Sequence, residues 1–427
     1  MVLFTRGGRI VNALKKRTLI ISHGHPDFNK GGAEVAAYNL YSAMRNRGED
    51  AFFIARTSQP PHGGAAFSSR NGKREILFHT TMDDGFLFSN LKTRHLWQEF
   101  RDLLTLIKPD VVHLHHFFLL GIEVLTEVRN TLPEARIVLT LHEYLAICHN
   151  KGLMIKTNGK LCYGASARDC YNCFTSVQPG DFFLREKYIK SHFDAVDHFI
   201  SPSQFLKQRY VEWGIEASRI SVIENGLPET ASNTGNGGLE DIVKTTKTFA
   251  FFGQINPYKG IDILLKAVTL LPKAIRQQVR IEIHGANLEQ QESNYQEKVK
   301  KLLKQVGKVV IFQGAYEQHE MPALLDAADW AVVPSIWWEN SPVVIQEALA
   351  AKVPLIVSNI GGMCEKVRDG VDGFHFRHGN PADLATIIER CVMQPTIRAK
   401  MSENIKPILK LEECLAMHQK VYACEIA

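Results

Sequence analysis

The chain reads as two doubly wound α/β domains, each a parallel sheet covered by helices on both faces. Three observations predict this. Short apolar, β-branched runs alternate with longer amphipathic stretches through the first half. Residues 228–246 break that rhythm with Thr, Ser, Asn and Gly, and the alternation then restarts. The expected layout is therefore a domain over 1–227, a linker over 228–246, a second domain over 247–400 and a helical end over 401–427.

The elements follow in order. Residues 17–22 carry the apolar run Leu19-Ile20-Ile21 and read as a strand; 31–47 read as a helix, with Val35, Tyr38, Tyr41 and Met44 near helical spacing and Gly48 as its stop. Strands are expected over 51–55, 110–115, 136–141, 198–201 and 221–223, and a helix over 97–107. Beyond the linker come strands over 248–252, 279–283, 309–312, 330–333 and 355–357, separated by helices over 261–271, 295–306, 320–328 and 342–350. From Pro381 the tail reads as helical, without a strand. Such sheets bind ligands at the carboxyl ends of their strands, so two facing domains imply a cleft.

Composition bounds the function. With 427 residues, 45% hydrophobic, 22% charged, 30 Gly and 17 Pro, the chain is neither collagen-like nor disordered. The net charge of +5 is no footprint for nucleic acid, but residues 1–227 hold 28 Lys/Arg against 22 Asp/Glu, so the excess lies in the first half. A weakly basic first half suits an anionic membrane surface or phosphorylated ligands. The runs Phe117–Leu120 and Phe182–Leu184 read first as core and second as a peripheral membrane contact. No apolar run is long enough to span a membrane, and Arg and Lys interrupt residues 1–21, so neither a transmembrane helix nor a signal peptide is expected. The 8 cysteines are too sparse for a disulfide scaffold and should be reduced thiols of a cytoplasmic protein.

The segment 334–350 carries the most chemistry. Ser341 suits an N-cap and Pro342 a first helical position, so a helix should start there, with Val343 inside it, directly after a strand end. Its free N–H groups favour a phosphate. Glu339 precedes that helix and Glu347 lies within it, so two carboxylates flank the anion site and could bond sugar hydroxyls on either side of a diphosphate; the bland alternative is a loop Glu and a helix Glu paired with lysines. Gly31-Gly32 falls between a strand and a helix, where absent side chains let the backbone approach a ligand; the alternative is a plain tight turn.

Taken together, Pro334-Ser335, Glu339-x7-Glu347, Pro354–Ser358, Gly361-Gly362, Glu365 and Asp372-Gly373 resemble the signature of the retaining glycosyltransferases of family 4, also called glycosyl transferases group 1. The resemblance runs over nearly the whole chain, through Gly31–Glu34, Pro109–His113, Thr140–Glu143, Ser201–Phe205, Glu224–Gly226, Phe252-Gly253 to Lys259-Gly260, Gly285, Gly314 and Ala328-Asp329. It implies the GT-B fold, two Rossmann-like domains facing across a cleft, with the terminal helix crossing back to the first. It also implies a hexosyltransferase that moves a sugar from a UDP or GDP sugar to a glycan, lipid-linked or small-molecule hydroxyl, in cell-surface polysaccharide or glycoconjugate biosynthesis. Retention would follow a front-face displacement in which a donor phosphate oxygen helps deprotonate the acceptor.

By the same resemblance, Glu339 lies near the transferred sugar, Glu347 on the ribose, His142 against the sugar with Glu143 beside it, and Gly31-Gly32 over the donor phosphates and the acceptor. Lys259 would neutralise the leaving diphosphate, with Gly253, Gly285, Ser341, Pro342 and Val343 completing the donor site. Position 254 departs from the pattern: many relatives put Arg there, and Gln254 brings a hydrogen-bond donor without a charge. No Asp-x-Asp motif occurs, so no metal or other cofactor is expected for catalysis.

Two clusters could hold metal. Cys148, Cys162, Cys170 and Cys173 end in a Cys-x2-Cys pair that fits a structural zinc, against the alternative of unliganded thiols. His113, His115 and His116 crowd one strand end without a carboxylate at ligand spacing and read as sheet-end packing. Two rival functions remain, a non-catalytic nucleotide-sugar-binding subunit, for which Gln254 argues, and a sugar-nucleotide epimerase on the same plan.

Overall fold

Apolar β-branched runs form the strands of two separate sheets. The computed structural model describes residues 16–29, 31–59, 64–90, 94–228 and 246–425. Of the expected linker, 229–245 lies outside the described residues, as do 1–15 of the leader reading and 426–427 of the helical end. By packing, the described chain divides into two units. One comprises the residues up to Leu139 with His192–Asp197; the other comprises Thr140–Ser191 with everything from His198 onward. Packing thus cuts the chain near Thr140, whereas composition marked 228–246.

The first unit holds β1 (Thr18–Ser22), β2 (Ala51–Thr57), β3 (Phe67–Arg70), β4 (Glu75–His79), β5 (Val111–Leu114) and β6 (Arg136–Thr140, its last residue beyond the cut), in the order β3-β4-β2-β1-β5-β6. β1 is parallel to both β2 and β5, with Ile20 level with Phe53 and His113, and every residue of β1 and β5 is buried, as a sheet covered on both faces requires. The sheet is not wholly parallel, which corrects the expectation. β3 runs antiparallel to β4 through a hairpin whose Asn71 and Gly72 take φ of 44° and 80°. This short, half-exposed edge lacks the continuous apolar run that marked the other strands, and its Phe67 stacks on Phe78 at 4.5 Å.

In the second unit β7 (His198–Ser201) pairs in parallel with β8 (Ile220–Val222). A separate all-parallel sheet joins β9 (Lys247–Phe252), β10 (Val279–His284), β11 (Val310–Gly314), β12 (Trp330–Val333), β13 (Leu355–Ser358) and β14 (Gly373–Phe376) in the order β11-β10-β9-β12-β13-β14. Phe249, Ile281, Trp330 and Ile356 pack its core with Leu264 and Leu265 of helix Ile261–Leu270 and Leu384 and Ile388 of helix Pro381–Met393. Asn380 caps the latter, accepting from the N–H groups of Ala382 and Asp383 at 3.1 Å.

The last helix, Leu411–Tyr422, docks on residues 224–227: Leu411 N–H donates to Leu227 O at 2.9 Å and Cys414 Sγ to Glu224 O at 3.3 Å. Gly226 is needed for this approach, because a Cβ there would stand 2.6 Å from Cys414 Cβ. Among the described residues no helix is long and apolar enough to cross a membrane. Of the two apolar runs, Phe117, Leu120 and Phe182 are buried, but Phe183 and Leu184 are 54% and 62% exposed, which corrects the core reading for those two.

Candidate active site

The site grows from the carboxyl ends of β9 and β12. After Phe252, Gly253 takes φ of 137°, and a Cβ on Gly285 would stand 2.2 Å from Gly253 O, so the ends of β9 and β10 touch backbone to backbone. Gln254 is exposed. Asn256 then accepts from the N–H groups of Tyr258 (3.0 Å) and Lys259 (3.1 Å), winding the single turn Pro257–Lys259. Gly260 closes it with φ of 71° at a point where a Cβ would meet Pro334 O at 1.9 Å, and Ile336 N–H donates to Tyr258 O at 2.8 Å. The loop after β9 is thereby pressed onto the loop after β12.

That contact aims Lys259 at Glu339. Lys259 Nζ lies 2.6 Å from Glu339 Oε1, which also accepts from Ser335 Oγ at 2.8 Å and Trp337 Nε1 at 2.9 Å. Among the described residues all three donors fall on Oε1, so Oε2 is clear of them. Glu339 is only 5% exposed. Its backbone is fixed too: its N–H donates to Trp337 O at 2.9 Å and its C=O accepts from Gly362 N–H at 2.7 Å. Gly361 and Gly362 explain themselves here, since a Cβ on Gly362 would stand 1.6 Å from Asn340 O.

Glu347 has a partner of its own. Its Oε1 accepts from Gln318 Nε2, and burial raises its carboxyl above the usual range. Burial and then the Glu347 charge push the Tyr316 hydroxyl up to about 12. Tyr316 packs edge-on to Phe252 (5.8 Å), which stacks on His284 at 4.9 Å beside Gly253 and Gly285. The helix carrying Glu347 is Val343–Ala350, one residue later than expected. Pro342, at φ −61° and ψ 119°, is its N-cap, and Ser341 lies outside it with a buried, unpartnered Oγ. The expected N-cap bond is absent because Pro342 already holds the extended backbone that a cap requires.

His142, half-buried, sits just past β6, and its carbonyl accepts from Asn340 Nδ2 at 3.1 Å; Asn340 Oδ1 accepts from Ser203 Oγ. Glu143 instead folds onto the chain beyond it, accepting from Leu145 N–H at 2.5 Å. Glu365 Oε1 and Oε2 accept from Gln204 and Phe205 N–H at 2.7 and 2.9 Å.

Two family models cover this arrangement between them, Glycosyltransferase Family 4 over residues 30–230 and Glycosyl transferases group 1 over residues 240–407. The chain belongs to the family 4, group 1 glycosyltransferases. It is 31% identical over 191 residues to the lipopolysaccharide 1,2-N-acetylglucosaminetransferase of Salmonella typhimurium, covering 43% of this chain and 50% of that one. The chain spans about half the length of the curated relatives it matches in this way. Its fold matches HepE of Anabaena in complex with UDP (TM-score 0.65, 18% identity, 96% of this chain and 100% of that one). It also matches sucrose-phosphate synthase of Thermosynechococcus elongatus (TM-score 0.69, 16% identity, 96% and 99%). Two α/β domains with parallel-sheet cores are thus the family 4 glycosyltransferase fold in this chain.

Lys259, Glu339, Gly253, Gly285, Gln254, Glu347 and His142 all lie in the second unit. Gly31 and Gly32 belong to the first, at the start of helix Gly32–Asn46. Glu34 reaches back beneath them to His23 Nε2 at 3.2 Å, so close that a Cβ on Gly31 would stand 2.2 Å from its carboxylate; despite its burial, the His23 contact lowers its carboxyl. His116 packs on the same imidazole at 4.5 Å and burial holds its own protonation well below the ordinary histidine range. His113 and His115 are buried at the strand end with rings 4.3 Å apart, in packing.

The four cysteines line one cavity with Met154 and Phe174, as free thiols. Burial pushes the Cys148 thiol up to about 11 and raises those of Cys162 and Cys170. Among the described residues no three His, Cys, Asp or Glu side chains stand gathered as metal ligands. Sequence reasoning read Ser335 only as part of the motif and gave no role to Trp337, Trp338, Asn340, Tyr316 or Gln318. The only signal was adjacency for the four that flank Glu339, and for the other two there was none.

Proposed function

We propose that this glycosyltransferase is a retaining, metal-independent hexosyltransferase that takes its sugar from a UDP or GDP sugar and delivers it to a glycan, lipid-linked or small-molecule hydroxyl, in the making of a cell-surface polysaccharide or glycoconjugate. One observation carries the reading: a lysine and a buried glutamate from two strand-end loops meet at 2.6 Å, with a helix N-terminus four residues beyond that glutamate and a second carboxylate inside that helix. That is the donor set a sugar diphosphate needs. In the bound state the diphosphate competes with Glu339 for Lys259, while Ser335 and Trp337 keep the carboxylate in place and Oε2 accepts from a sugar hydroxyl. Glu347 accepts from the ribose, and His142 stands against the sugar.

The new bond forms between the acceptor oxygen and the anomeric carbon as the anomeric C–O bond to phosphate breaks on the same face. The acceptor proton passes to a donor phosphate oxygen, and the charge of the departing nucleoside diphosphate falls on Lys259 and the N–H groups at the start of helix Val343–Ala350. The lack of an Asp-x-Asp motif supports metal independence. HepE was crystallised with UDP and UDP-glucose, and the Salmonella relative is named for N-acetylglucosamine transfer, so UDP-hexoses and UDP-N-acetylhexosamines are the first donors to test. The rival subunit reading draws on Gln254, which is exposed and uncharged. Peripheral contact with the cytoplasmic face of a membrane draws on the basic first half and on exposed Phe183 and Leu184 beside Lys187. A structural zinc would have to draw the four cysteine thiols inward, with buried Arg185 balancing the charge.

The test is a thermal-shift screen of nucleotide sugars followed by product analysis with acceptor. A ligand at about 100 times its Kd adds about 2.7 kcal/mol, enough to shift the melting temperature visibly. A shift with a UDP or GDP sugar plus acceptor-dependent release of nucleoside diphosphate supports the reading. Binding without release supports the subunit, and donor conversion without acceptor supports the epimerase.

A further inference from the structure

The residues on both sides of Glu339 are tied down, and the chemistry above uses neither tie. Trp338 is 4% exposed, and its indole N–H is shared between Met154 O at 3.0 Å and Cys162 O at 3.1 Å. Its ring stacks on Phe205 at 4.9 Å and takes the edge of Tyr163 at 5.2 Å. Asn340 donates to His142 O and accepts from Ser203 Oγ. Every one of these partners lies within residues 140–191 or 198–205, stretches that packing assigns to the second unit.

The carbonyls that hold Trp338 close a small hairpin. Ile155 bridges Leu161, and Cys162 N–H donates to Met154 O at 2.8 Å, so Met154 O accepts from the hairpin and from the indole together. Met154 takes φ of 50°, a left-handed conformation that an unbranched side chain adopts only at some cost and that surrounding bonds must hold. The hairpin leads through Ser166, which caps helix Ala167–Cys173, so all four clustered cysteines lie within a folded lobe gripping Trp338.

We infer that residues 148–174 form a positioning lobe for the loop after β12, and that Trp338 and Asn340 are positioning residues that fix the Glu339 backbone so that its carboxylate meets the transferred sugar. This rests on the role proposed for Glu339. A buried indole N–H needs one acceptor; this one is shared between two backbone oxygens of the same hairpin, which ties the Trp338 ring to that hairpin and not to a replaceable side chain. A carboxylate displaced by about 1 Å from its reacting position loses on the order of 100-fold in rate.

Trp338→Phe keeps the ring and removes the N–H. It should lower kcat roughly 10- to 100-fold while donor KM and the Kd for nucleoside diphosphate stay within about threefold, because Lys259 and Glu347 are untouched. Tyr163, 65% exposed, can be removed without risk to folding, and Tyr163→Ala should lower kcat in the same direction by about two- to fivefold. Hydrogen exchange of the 335–341 backbone, measured without donor, should quicken at least about tenfold in Trp338→Phe. A kcat within about twofold of the parent, a loss expressed in KM alone, or unchanged exchange overturns the inference. If Trp338→Phe does not fold, an unchanged kcat and exchange in Tyr163→Ala overturn it. If the parent chain transfers no sugar, the reading of Glu339 fails, and exchange still decides whether the lobe holds the loop.

Discussion

Replacing Lys259 with methionine separates the two tasks given to it. In the unliganded chain its ammonium lies 2.6 Å from Glu339 Oε1, with the lysine side chain 29% exposed and the glutamate 7%. At an effective dielectric near 20, two charges about 4 Å apart attract by about 4 kcal/mol, most of it offset by desolvation and by water at the lysine end. Ser335 and Trp337 still donate to Oε1 after the change, so Glu339 is not stranded. The stability loss should therefore be small, about 1 kcal/mol. The leaving diphosphate keeps only the N–H groups at the start of helix Val343–Ala350, since Gln254 carries no charge, and removing one preorganised donor from a developing anion costs about 3–4 kcal/mol, or 100- to 1,000-fold in rate. Denaturant unfolding and nucleoside diphosphate release on the same preparations measure the two numbers side by side. A rate within about tenfold of the parent, or a rate loss no larger than the stability loss expressed in the same units, refutes the reasoning.

Three further expectations follow from titratable groups. Glu347 has a raised carboxyl, so its own contribution to stability is whole at low pH and is lost as the pH rises through that raised value. Donor binding needs the ionised form and runs the other way, so Kd should climb on acidification at a higher pH than for an ordinary glutamate, and Glu347→Gln should bind about tenfold more weakly at pH 7.5 with that pH dependence gone. His418 is fully buried against Cys414 O, and burial lowers it to about 4. Its contribution, about 3 kcal/mol by linkage, is whole above about 6.5 and lost as the pH falls through about 4, so denaturation midpoints at pH 7 and 5 should converge in His418→Gln. Zinc analysis of protein purified without added metal should give about one equivalent with protected thiols if the four cysteines bind it; less than about a tenth, with thiols freely titratable, disposes of the structural zinc.

Most strands of both sheets were legible because buried parallel strands leave continuous apolar runs such as Thr18–Ser22 and Trp330–Val333. β3, β4 and β14 were not: β3 is a half-exposed antiparallel edge marked by Phe67 alone, Glu75 and His79 bound the short run of β4, and two of the four residues of β14 are Gly373 and His375. Lys259, Glu339 and Glu347 could be read as site residues from their motifs, and the glycines acquired reasons only from the close approaches at Gly260, Gly285 and Gly362. What no motif disclosed is that Trp338 and Asn340 bond to residues nearly two hundred positions earlier, contacts that exist only in three dimensions. The same contacts explain why packing assigns residues 140–191 to the second unit while composition marks a break only at 228–246.

The central claim is that Lys259 and Glu339 serve transfer of a sugar from a nucleotide donor. Simultaneous quantification of nucleoside diphosphate released and glycoside formed, for the parent chain and Glu339→Gln, tests it most directly. The account predicts one glycoside per nucleotide released by the parent, and in Glu339→Gln a rate at least about 100-fold lower with the melting temperature held. Equal rates in the two proteins, or release without glycoside, would contradict it.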